Sequence, residues 1–368
     1  MPKILHILSE IRSSGAEVMI KTALPYWQEG GAVLHALGTG KVLGSYAGNL
    51  SDRGIIVHHL PFANSQKFYS QLIRLLRAHQ FDVVHIHTEH AALTYACLAH
   101  IAGTPRIIRT IHSSFLFKRL TRLTRTVRRW AVRQLGVAQV SISDSVKQNE
   151  QTRFRNPTRL IYNWCDDLHF RPPSMQERSE NRNRLGLSEH QKVIVSVGNC
   201  APVKNHEAVI QALALIKKNG LLPLYWHVGE EDSENREGNL AREFGLDTQV
   251  RFWGRQEDVR PFLWAADTFV MPSFYEGFGL AVLEALESGT QLVLARSPGL
   301  KEWADLIPEI IYTDTSAADL ARGLLQALKM PKNHEQAAQR SASLRTLFSV
   351  ERGAQEYLAL YNSVKNVD

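Results

Sequence analysis

Short apolar runs, each about as long as a buried strand, alternate with longer helical patterns along this 368-residue chain. Ile4–Leu8 predicts a first strand, and Glu17–Gln28 predicts the helix that follows it. Strands separated by helices pair in parallel, so the alternation predicts an α/β fold with doubly wound sheets. The same pattern predicts a helix over Ala91–Ala102 and strands over Phe81–His87, Arg106–Ile111 and Val137–Ser143.

The alternation is interrupted once and then resumes near residue 190. Phe170-Arg171-Pro172-Pro173 and the polar stretch Ser174–Asn183 have the composition of a linker. We therefore predict two Rossmann-like domains, 1–170 and 171–347, facing across a cleft, with a C-terminal helix (about 348–368) docking back on the first. The second domain has predicted helices over Asn205–Lys218 and Ala281–Glu287, and predicted strands over Lys192–Val197, Leu224–Val228, Val250–Trp253, Thr268–Met271 and Leu292–Ala295.

Composition excludes several classes of protein. The chain has no run of eighteen apolar residues, so no membrane-spanning helix is expected, and its N-terminus predicts a strand rather than a signal peptide. Cys97, Cys165 and Cys200 lie far apart, without disulfide or metal-ligand spacing. A cytoplasmic location is the simplest expectation.

The net charge of +7 is unevenly distributed. Residues 1–170 carry 21 Lys/Arg and 10 Asp/Glu, whereas residues 171–368 carry 22 and 26. The densest basic stretch, Lys118–Arg133, has seven basic residues and no acid. An anionic membrane surface on the inner face of the cell membrane would attract this stretch, but a merely solvated helix face fits the pattern equally well. Nucleic acid is not an expected partner, because the chain has no nucleic-acid-binding motif.

Pro272–Ala285 follows a predicted strand and opens a helix, which places it on the ligand-binding edge of a sheet. Gly277 and Gly279 let the backbone approach a ligand, and free amides at a helix N-terminus suit a diphosphate. Glu276 and Glu284 offer carboxylates that can accept hydrogen bonds from vicinal sugar hydroxyls. The competing interpretation is an ordinary turn followed by an exposed helix face.

A second strand, glycine loop and helix occur over Val195–His206. Lys204 is predicted at the helix start, where its positive charge is unfavourable unless an anion is bound. Gly198, Asn199 and Asn205 belong to the same loop. An exposed lysine at a frayed helix end remains the alternative.

The first domain has weaker signals. Arg12–Glu17 contains Gly15 and opens a helix, which allows close approach of the backbone to a ligand. His112 follows a strand and could donate a hydrogen bond to a phosphate or a sugar hydroxyl, although such histidines are often structural. His85 and His87 share a strand face. Without a third ligand expected nearby, we predict packing or polar roles and no metal site.

Together these residues resemble glycosyltransferase family 4, the group 1 type of the GT-B fold, over nearly the whole chain. The most specific feature is the spacing of Glu276 and Glu284 within Pro-Ser-x-x-Glu-Gly-Phe-Gly-Leu. The resemblance also rests on Gly198, Lys204, Asn205, Gly15-Ala16-Glu17, Ile161–Asp166, Trp253-Gly254-Arg255 and Ala265–Asp267.

The resemblance implies a role for each matched residue. Lys204 would hold the donor diphosphate, Glu284 the ribose hydroxyls, and Glu276 the donor sugar near its anomeric carbon. Lys204, Glu276 and His112 are the expected catalytic residues. The remaining donor contacts predicted are Gly198, Asn199 and Asn205, the backbone of Gly277, Phe278, Gly279 and Leu280, the segment at Arg255, and His112 and Gly15.

Two positions depart from the family pattern. Asn199 stands where the family usually has an arginine, which removes one of the two cations expected on the diphosphate. Arg12 and Arg255 are candidates to replace it, or donor affinity is low. Trp164 replaces a glycine near the interdomain turn and either reshapes the hinge or packs there.

The resemblance implies a retaining glycosyltransferase that moves a hexose-type sugar from a nucleoside-diphosphate sugar, with UDP favoured. The acceptor would be a glycan or lipid-linked molecule in cell-surface polysaccharide assembly. No Asp-x-Asp motif stands out, so no metal or other cofactor is expected. One alternative is another GT-B enzyme with a different leaving group or acceptor, such as a sugar-phosphate transferase or an epimerase-like protein. The other is a non-catalytic nucleotide-sugar-binding scaffold, which the asparagine at position 199 keeps open.

Overall fold

The computed structural model describes residues 2–363 apart from Ser13, Lys118, Asn219 and Lys332. The chain divides into two compact units. Unit 1 comprises Met1–Trp164 and the C-terminal segment from Phe348, and unit 2 comprises Cys165–Leu347. The division therefore falls slightly before the boundary expected after residue 170.

Unit 1 contains a seven-stranded parallel sheet in the order β3-β2-β1-β4-β5-β6-β7. Its strands are β1 (Lys3–Leu8), β2 (Val33–Gly38), β3 (Ile56–His59), β4 (Val83–Ile86), β5 (Arg106–Ile111), β6 (Ala138–Ser141) and β7 (Arg159–Leu160). Its first helices are α1 (Gly15–Glu29), α2 (Ala47–Ser51), α3 (Gln66–His79), α4 (Ala92–Ala102), α5 (Arg119–Gln134) and α6 (Asp144–Phe154).

Unit 2 contains a six-stranded parallel sheet in the order β10-β9-β8-β11-β12-β13. Its strands are β8 (Val193–Val197), β9 (Leu224–Val228), β10 (Val250–Phe252), β11 (Thr268–Met271), β12 (Gln291–Ala295) and β13 (Ile311–Thr313). The helices are α7 (Met175–Arg184), α8 (His206–Lys218), α9 (Arg236–Glu243), α10 (Arg260–Ala265), α11 (Leu280–Glu287), α12 (Ala317–Lys329) and α13 (His334–Phe348).

Both sheets have the doubly wound topology expected from the alternating pattern, so the predicted fold class is confirmed. In each sheet the strand order reverses once, between β1 and β4 in unit 1 and between β8 and β11 in unit 2. Ligands of such sheets bind at the carboxyl ends of the strands beside this reversal. Unit 2 places the loops after β8 and β11, which hold the two strongest motifs, at this position.

The polar stretch Ser174–Asn183 is helix α7, so its interpretation as a linker was wrong. The Ser174 side chain accepts from the Glu177 amide at 3.1 Å, and the Glu177 carboxylate accepts from the Ser174 amide at 2.8 Å. This reciprocal pair caps the helix. Polar residues form its buried face: Arg182 is 7% exposed and donates to the Ala265 carbonyl at 2.7 Å. Apolar periodicity is therefore absent from a helix that packs through hydrogen bonds.

The C-terminal helix α14 (Val350–Asn362) packs on α1 in unit 1. Trp27 donates from Nε1 to the Ala354 carbonyl at 2.9 Å. Trp164 is 1% exposed and donates to Thr22 Oγ1 at 3.0 Å, so its bulk packs inside unit 1. Val364, also expected in this helix, and residues 365–368 lie outside the described residues. No helix in the described part of the chain is long and apolar enough to cross a bilayer.

Candidate functional site

The loops after β8 and β11 in unit 2 are joined by direct contacts. The Phe274 amide donates to the Val203 carbonyl at 2.9 Å. Lys204 Nζ lies 2.7 Å from Glu276 Oε1, and both side chains are largely shielded, with exposed fractions of 27% and 11%. The structure thus brings together the lysine and the glutamate that the two motifs singled out separately.

The sequence predicts Lys204 at the start of a helix, but the structure places it before helix α8. It ends a 3₁₀ turn, Pro202–Lys204, and α8 begins at His206. Between them Asn205 has a left-handed backbone with φ of 57°, a conformation that asparagine tolerates better than most residues. The Lys204 charge is balanced by Glu276, so its expected helix-dipole penalty is offset within the protein itself.

Asn205 joins three segments through its side chain. Its amide nitrogen donates to the Pro272 carbonyl at 3.2 Å and to the Thr315 carbonyl at 3.0 Å. Asn205 was predicted to contact the donor. The structure shows that its amide group holds the loop after β11 beside Lys204, and the donor contact stays a prediction.

Glu276 is positioned by a third loop, which the sequence analysis missed. Its amide donates to the Pro298 carbonyl at 2.9 Å. Gly299 has φ of 84°, and a Cβ there would lie 2.3 Å from the Glu276 carbonyl oxygen. Only glycine fits this close approach. A Pro-Gly pair directly after a predicted strand is the sequence signal that could have indicated this loop.

Helix α11 begins without a side-chain cap. Its N-cap is Gly279, which has a left-handed backbone with φ of 76°, so the first amides of the helix are not used by a capping side chain. Leu280 is the first residue of this helix. Such an opening suits an anion, because amide donors and the helix dipole point the same way.

Glu284 lies in the second turn of α11. Burial raises the pKa of its carboxyl group to about 8, so the group is largely protonated at neutral pH in the free protein. Its carboxyl group makes no hydrogen bond to another residue in the described part of the chain. A carboxyl group that is largely shielded from solvent and makes no hydrogen bond to the described residues can accept ligand hydroxyls.

Phe278, which follows Gly277, belongs to the core of unit 2. The Phe278 ring packs on Trp303 with ring centroids 5.1 Å apart, and the Phe278 carbonyl accepts from Trp303 Nε1 at 3.2 Å. The Phe278 side chain therefore anchors the loop. Any ligand contact from this residue would come from its backbone, as the resemblance implied.

Asn199, which stands where the family usually has an arginine, stabilises the local structure through a hydrogen bond. Asn199 Oδ1 accepts from the Glu230 amide at 3.0 Å. Gly198 donates from its amide to the Val228 carbonyl at 2.9 Å, which draws the loops after β8 and β9 together. Arg255, in the loop after β10, is exposed and belongs to the same edge of unit 2.

In unit 1 the expectation that no third ligand lies near His85 and His87 was wrong. His6 joins them, with one ring nitrogen from each of the three within 4.8 Å of the others. Because β1 and β4 are paired in parallel, His6 lies directly opposite His85 in the sheet. The sequence signal that could have indicated this third histidine was its place in the first predicted strand.

Hydrogen bonds occupy these histidines. His6 Nδ1 lies 3.0 Å from His87 Nε2, and His87 Nδ1 lies 3.0 Å from His112 Nε2. His85 bonds to the Tyr361 hydroxyl and to Thr110, both at 2.8 Å. Burial lowers the pKa of His112 to about 4 and that of His6 to about 3, so these rings are neutral at pH 7. His112 thus ends a chain of neutral imidazoles.

The other candidates in unit 1 lie at the start of α1. Gly15 is the first residue of this helix, and the Ser14 hydroxyl donates to the buried Glu17 carboxylate. Arg12 pairs with Glu10 at 2.7 Å. Ser13 lies outside the described residues.

Two doubly wound parallel units define the class of the protein: it has the GT-B fold of glycosyltransferases. A crystal structure of a glycosyltransferase from Rickettsia africae superposes with a TM-score of 0.81 at 16% identity, over 100% of this chain and 99% of that one. Anabaena HepE, crystallised with UDP and glucose, gives a TM-score of 0.78 at 20% identity, over 98% and 99%. At these identities the likeness establishes the fold.

Sequence comparison identifies the family. Residues 177–343 match the model for glycosyl transferases group 1, and residues 14–167 match that for Glycosyltransferase Family 4. The chain therefore belongs to the group 1 type of Glycosyltransferase Family 4 and is a glycosyltransferase, as the resemblance implied.

Among its relatives, an Escherichia coli UDP-Gal:alpha-D-GlcNAc-diphosphoundecaprenol alpha-1,3-galactosyltransferase is 25% identical over 66% of this chain. The match spans 65% of that enzyme, slightly less than two thirds of its length. The N-acetyl-alpha-D-glucosaminyl L-malate synthase of Bacillus anthracis is 25% identical over 81% of this chain and 79% of its own.

Proposed function

We propose that this glycosyltransferase moves a hexose-type sugar from a nucleoside-diphosphate sugar, with UDP favoured, and retains the anomeric configuration. The acceptor is a glycan or lipid-linked molecule in cell-surface polysaccharide assembly. Two relatives support this choice: the Escherichia coli enzyme is named for a UDP-galactose donor and a diphosphoundecaprenol acceptor, and HepE was crystallised with UDP and glucose.

The observation that carries the proposal is the ion pair between Lys204 and Glu276 at the strand-order reversal of unit 2. A diphosphate at this edge would offer Lys204 a stronger, doubly charged partner. Glu276 would then be released to accept hydrogen bonds from the donor sugar, while Glu284 accepts those of the ribose. One charge exchange would thus convert a resting ion pair into a donor site.

Transfer breaks the bond between the anomeric carbon and the β-phosphate oxygen, so negative charge develops on the leaving phosphate. Lys204 and the amides at the start of α11 would stabilise that charge electrostatically. The acceptor hydroxyl attacks from the face that the phosphate leaves, and the phosphate takes the hydroxyl proton, which gives retention. The roles of His112 and Gly15 toward the donor, and transfer without a metal ion, remain predictions.

The test compares Lys204→Ala and Glu284→Ala with the wild-type chain, using UDP-sugars and a lipid-linked glycan acceptor. We expect each variant to lower the transfer rate about 100-fold or more, because each removes a preorganised contact to the donor. Lys217→Ala, which removes an exposed lysine of α8 in the same unit, is the control and keeps wild-type activity. Wild-type rates in both site variants would refute the assignment.

A non-catalytic nucleotide-sugar-binding scaffold is the second candidate. Asn199 favours it, because its side chain bonds to the Glu230 amide and supplies no positive charge to a diphosphate. A thermal-shift screen with UDP and GDP, followed by turnover assays on a panel of sugar nucleotides, separates the two. Binding without turnover on any donor would favour the scaffold.

Association with an anionic membrane surface belongs to the same proposal. Helix α5 exposes apolar side chains at helical spacing, which are Leu120 (78% exposed), Leu123 (61%), Val127 (54%) and Trp130 (59%). An apolar stripe between arginines is typical of a helix that lies in the membrane interface, which favours this interpretation over a solvated face. Lys118, the first residue of the predicted basic stretch, lies outside the described residues.

Flotation with phosphatidylglycerol vesicles at low salt tests the association. We expect the wild-type chain to float and a Leu123→Gln/Trp130→Gln variant to stay at the bottom of the gradient. Neutral phosphatidylcholine vesicles should bind much less of either chain. A wild-type chain that does not float with anionic vesicles would contradict the proposal.

A further inference from the structure

Unit 1 contains a cavity of about 350 Å³ whose lining carries an excess of positive charge. Four arginines line it, and the only acidic residue in its lining is Glu89. We propose that this cavity binds the phosphate group of a lipid-linked acceptor. The inference rests on the proposed function and names the part of the acceptor that the chain recognises.

The charge balance of the cavity favours an anion. Glu89 pairs with Arg109, with Arg129 at 3.0 Å and with Arg125 at 3.5 Å. Glu150, 0% exposed, pairs with Arg129 at 2.7 Å from outside the lining. The four guanidinium groups therefore meet two carboxylates, and a formal charge of +2 remains for a ligand.

The excess charge lies on the two arginines nearest the solvent. Arg125 is 21% exposed and holds Glu89 only at 3.5 Å. Arg128 is exposed and forms no ion pair with any residue that the structure describes. Both can therefore turn toward a phosphate without breaking a buried pair, whereas Arg109 and Arg129 are fixed by the interior network.

The start of helix α4 also lines the cavity. The first residues of the eleven-residue helix α4, Ala92 to Thr94, belong to the lining, and the N-cap Ala91 offers no side-chain cap. Arg109, 3% exposed, also lines the cavity, and its Nε has no hydrogen-bond partner among the described residues. The start of a helix and several guanidinium groups in one lining offer the kinds of donor that phosphate requires.

The position of helix α5 favours a phosphate attached to a lipid. One side of the helix lines the cavity through Arg125, Arg128, Arg129 and Val132, and the exposed apolar stripe lies on the same helix. The stripe and the cavity-lining residues lie on opposite sides of the helix, so a helix resting in the membrane interface through the stripe would hold the cavity about 10 Å further out, among the lipid headgroups. A phosphate whose chain remains in the bilayer could then enter the cavity.

Binding of geranyl diphosphate to the full-length chain, measured by isothermal titration calorimetry, tests the proposal. Lys204→Ala serves as the host chain, so that the candidate donor site does not contribute a diphosphate contact. We expect Arg125→Ala/Arg128→Ala to weaken binding about tenfold or more, since each arginine contributes a charge-assisted hydrogen bond. Arg133→Ala, which removes an exposed arginine of the same helix outside the lining, should change it less than about twofold.

Two outcomes would overturn the proposal. Equal weakening by the double variant and by Arg133→Ala would mean general attraction to a basic helix. Binding of inorganic pyrophosphate as tight as that of geranyl diphosphate would mean a soluble phosphate rather than a lipid. Neither outcome touches the donor site, and loss of sugar transfer in Lys204→Ala with unchanged cavity binding would separate the two assignments.

Discussion

At the scale of single residues, the candidate site depends on contacts between residues that lie far apart in the chain. Lys204 and Glu276 were predicted as separate donor contacts, and the structure pairs them at 2.7 Å. No local pattern relates residues 72 positions apart. Gly299 was missed for the same reason. Only glycine fits at this position because folding brings the Glu276 backbone against it, and no local pattern shows that contact.

Gly299→Ala tests whether this loop positions Glu276. Alanine would carry left-handed strain of about 1–2 kcal/mol and would push the Glu276 carbonyl from its place. We expect the transfer rate to fall about 100-fold, since a small displacement of a donor contact is costly. Gly186→Ala is the control: Gly186 has φ of 75° but open space around its Cβ position, so strain alone should leave transfer intact. If Gly299→Ala and Gly186→Ala were equally active, the loop at Gly299 would not position Glu276 for transfer.

The raised pKa of Glu284 predicts that nucleotide binding releases a proton. The free carboxyl group titrates at about 8, whereas a carboxylate accepting ribose hydroxyls would be held ionised. UDP affinity should therefore increase as the pH rises from 6.5 toward 8 and level off above it. Calorimetry at pH 7 in buffers of different ionisation heat measures the proton count. Glu284→Gln should abolish this share of the release, and identical counts in both chains would contradict the ribose assignment.

At the scale of elements, the regular strands could be predicted and the unusual helices could not. Arg106–Ile111, Leu224–Val228 and Thr268–Met271 have the bounds that their apolar runs predict. Helix α7 was missed because its packing face uses Arg182 and other polar groups, so hydrophobic periodicity is absent. The sequence signal for α7 was its capping box, which depends on hydrogen-bond chemistry rather than on apolar patterning.

Replacing a glycine of helix α14 with alanine should destabilise the protein, although alanine has the higher helix propensity. A Cβ at Gly353 would lie 2.1 Å from the Trp164 ring. Propensity alone would make alanine more stable by about 1 kcal/mol, but overpacking should dominate and destabilise unit 1 by about 1–3 kcal/mol. Urea unfolding of the Gly353→Ala chain measures the balance. Gly48→Ala in α2, where a Cβ has open space, should be neutral or stabilising, and a similar gain at Gly353 would contradict this packing.

At the scale of the whole molecule, both units bury histidines, and unit 2 also buries carboxyl groups. Unit 1 encloses a neutral histidine chain, in which burial lowers the pKa of His6, His85, His87 and His112. Unit 2 encloses His206 and His227, in which burial lowers the pKa, and carboxyl groups on α11, in which burial raises the pKa of Glu284 to about 8 and of Glu287 to about 7. Sequence alone indicates neither group of shifts, because both depend on burial produced by tertiary packing.

These shifts predict opposite pH dependences for the two units. Unfolded unit 1 binds more protons than the folded unit below pH 6.5, so its stability should fall as the pH drops from 6.5 toward 4. In unit 2 the buried His206 and His227 oppose the carboxyl groups below pH 6.5, because the unfolded histidines bind protons there. Above pH 6.5 the folded unit binds more protons than its unfolded form, so its stability should fall as the pH rises from 6.5 toward 8. Hydrogen exchange followed by mass spectrometry resolves the two units at each pH.

The matched variant is Glu287→Gln, which keeps the shape of a side chain bonded to Ser341 but cannot ionise. Relative to the wild-type chain, the stability of unit 2 in this variant should rise as the pH goes from 4.5 to 7, by on the order of 1–3 kcal/mol, while unit 1 keeps its own acid sensitivity. A parallel response of both units to pH, in either chain, would mean that they unfold as one cooperative body. In that case the enzyme's stability would peak where the histidine and carboxyl effects cancel, rather than each unit following its own buried groups.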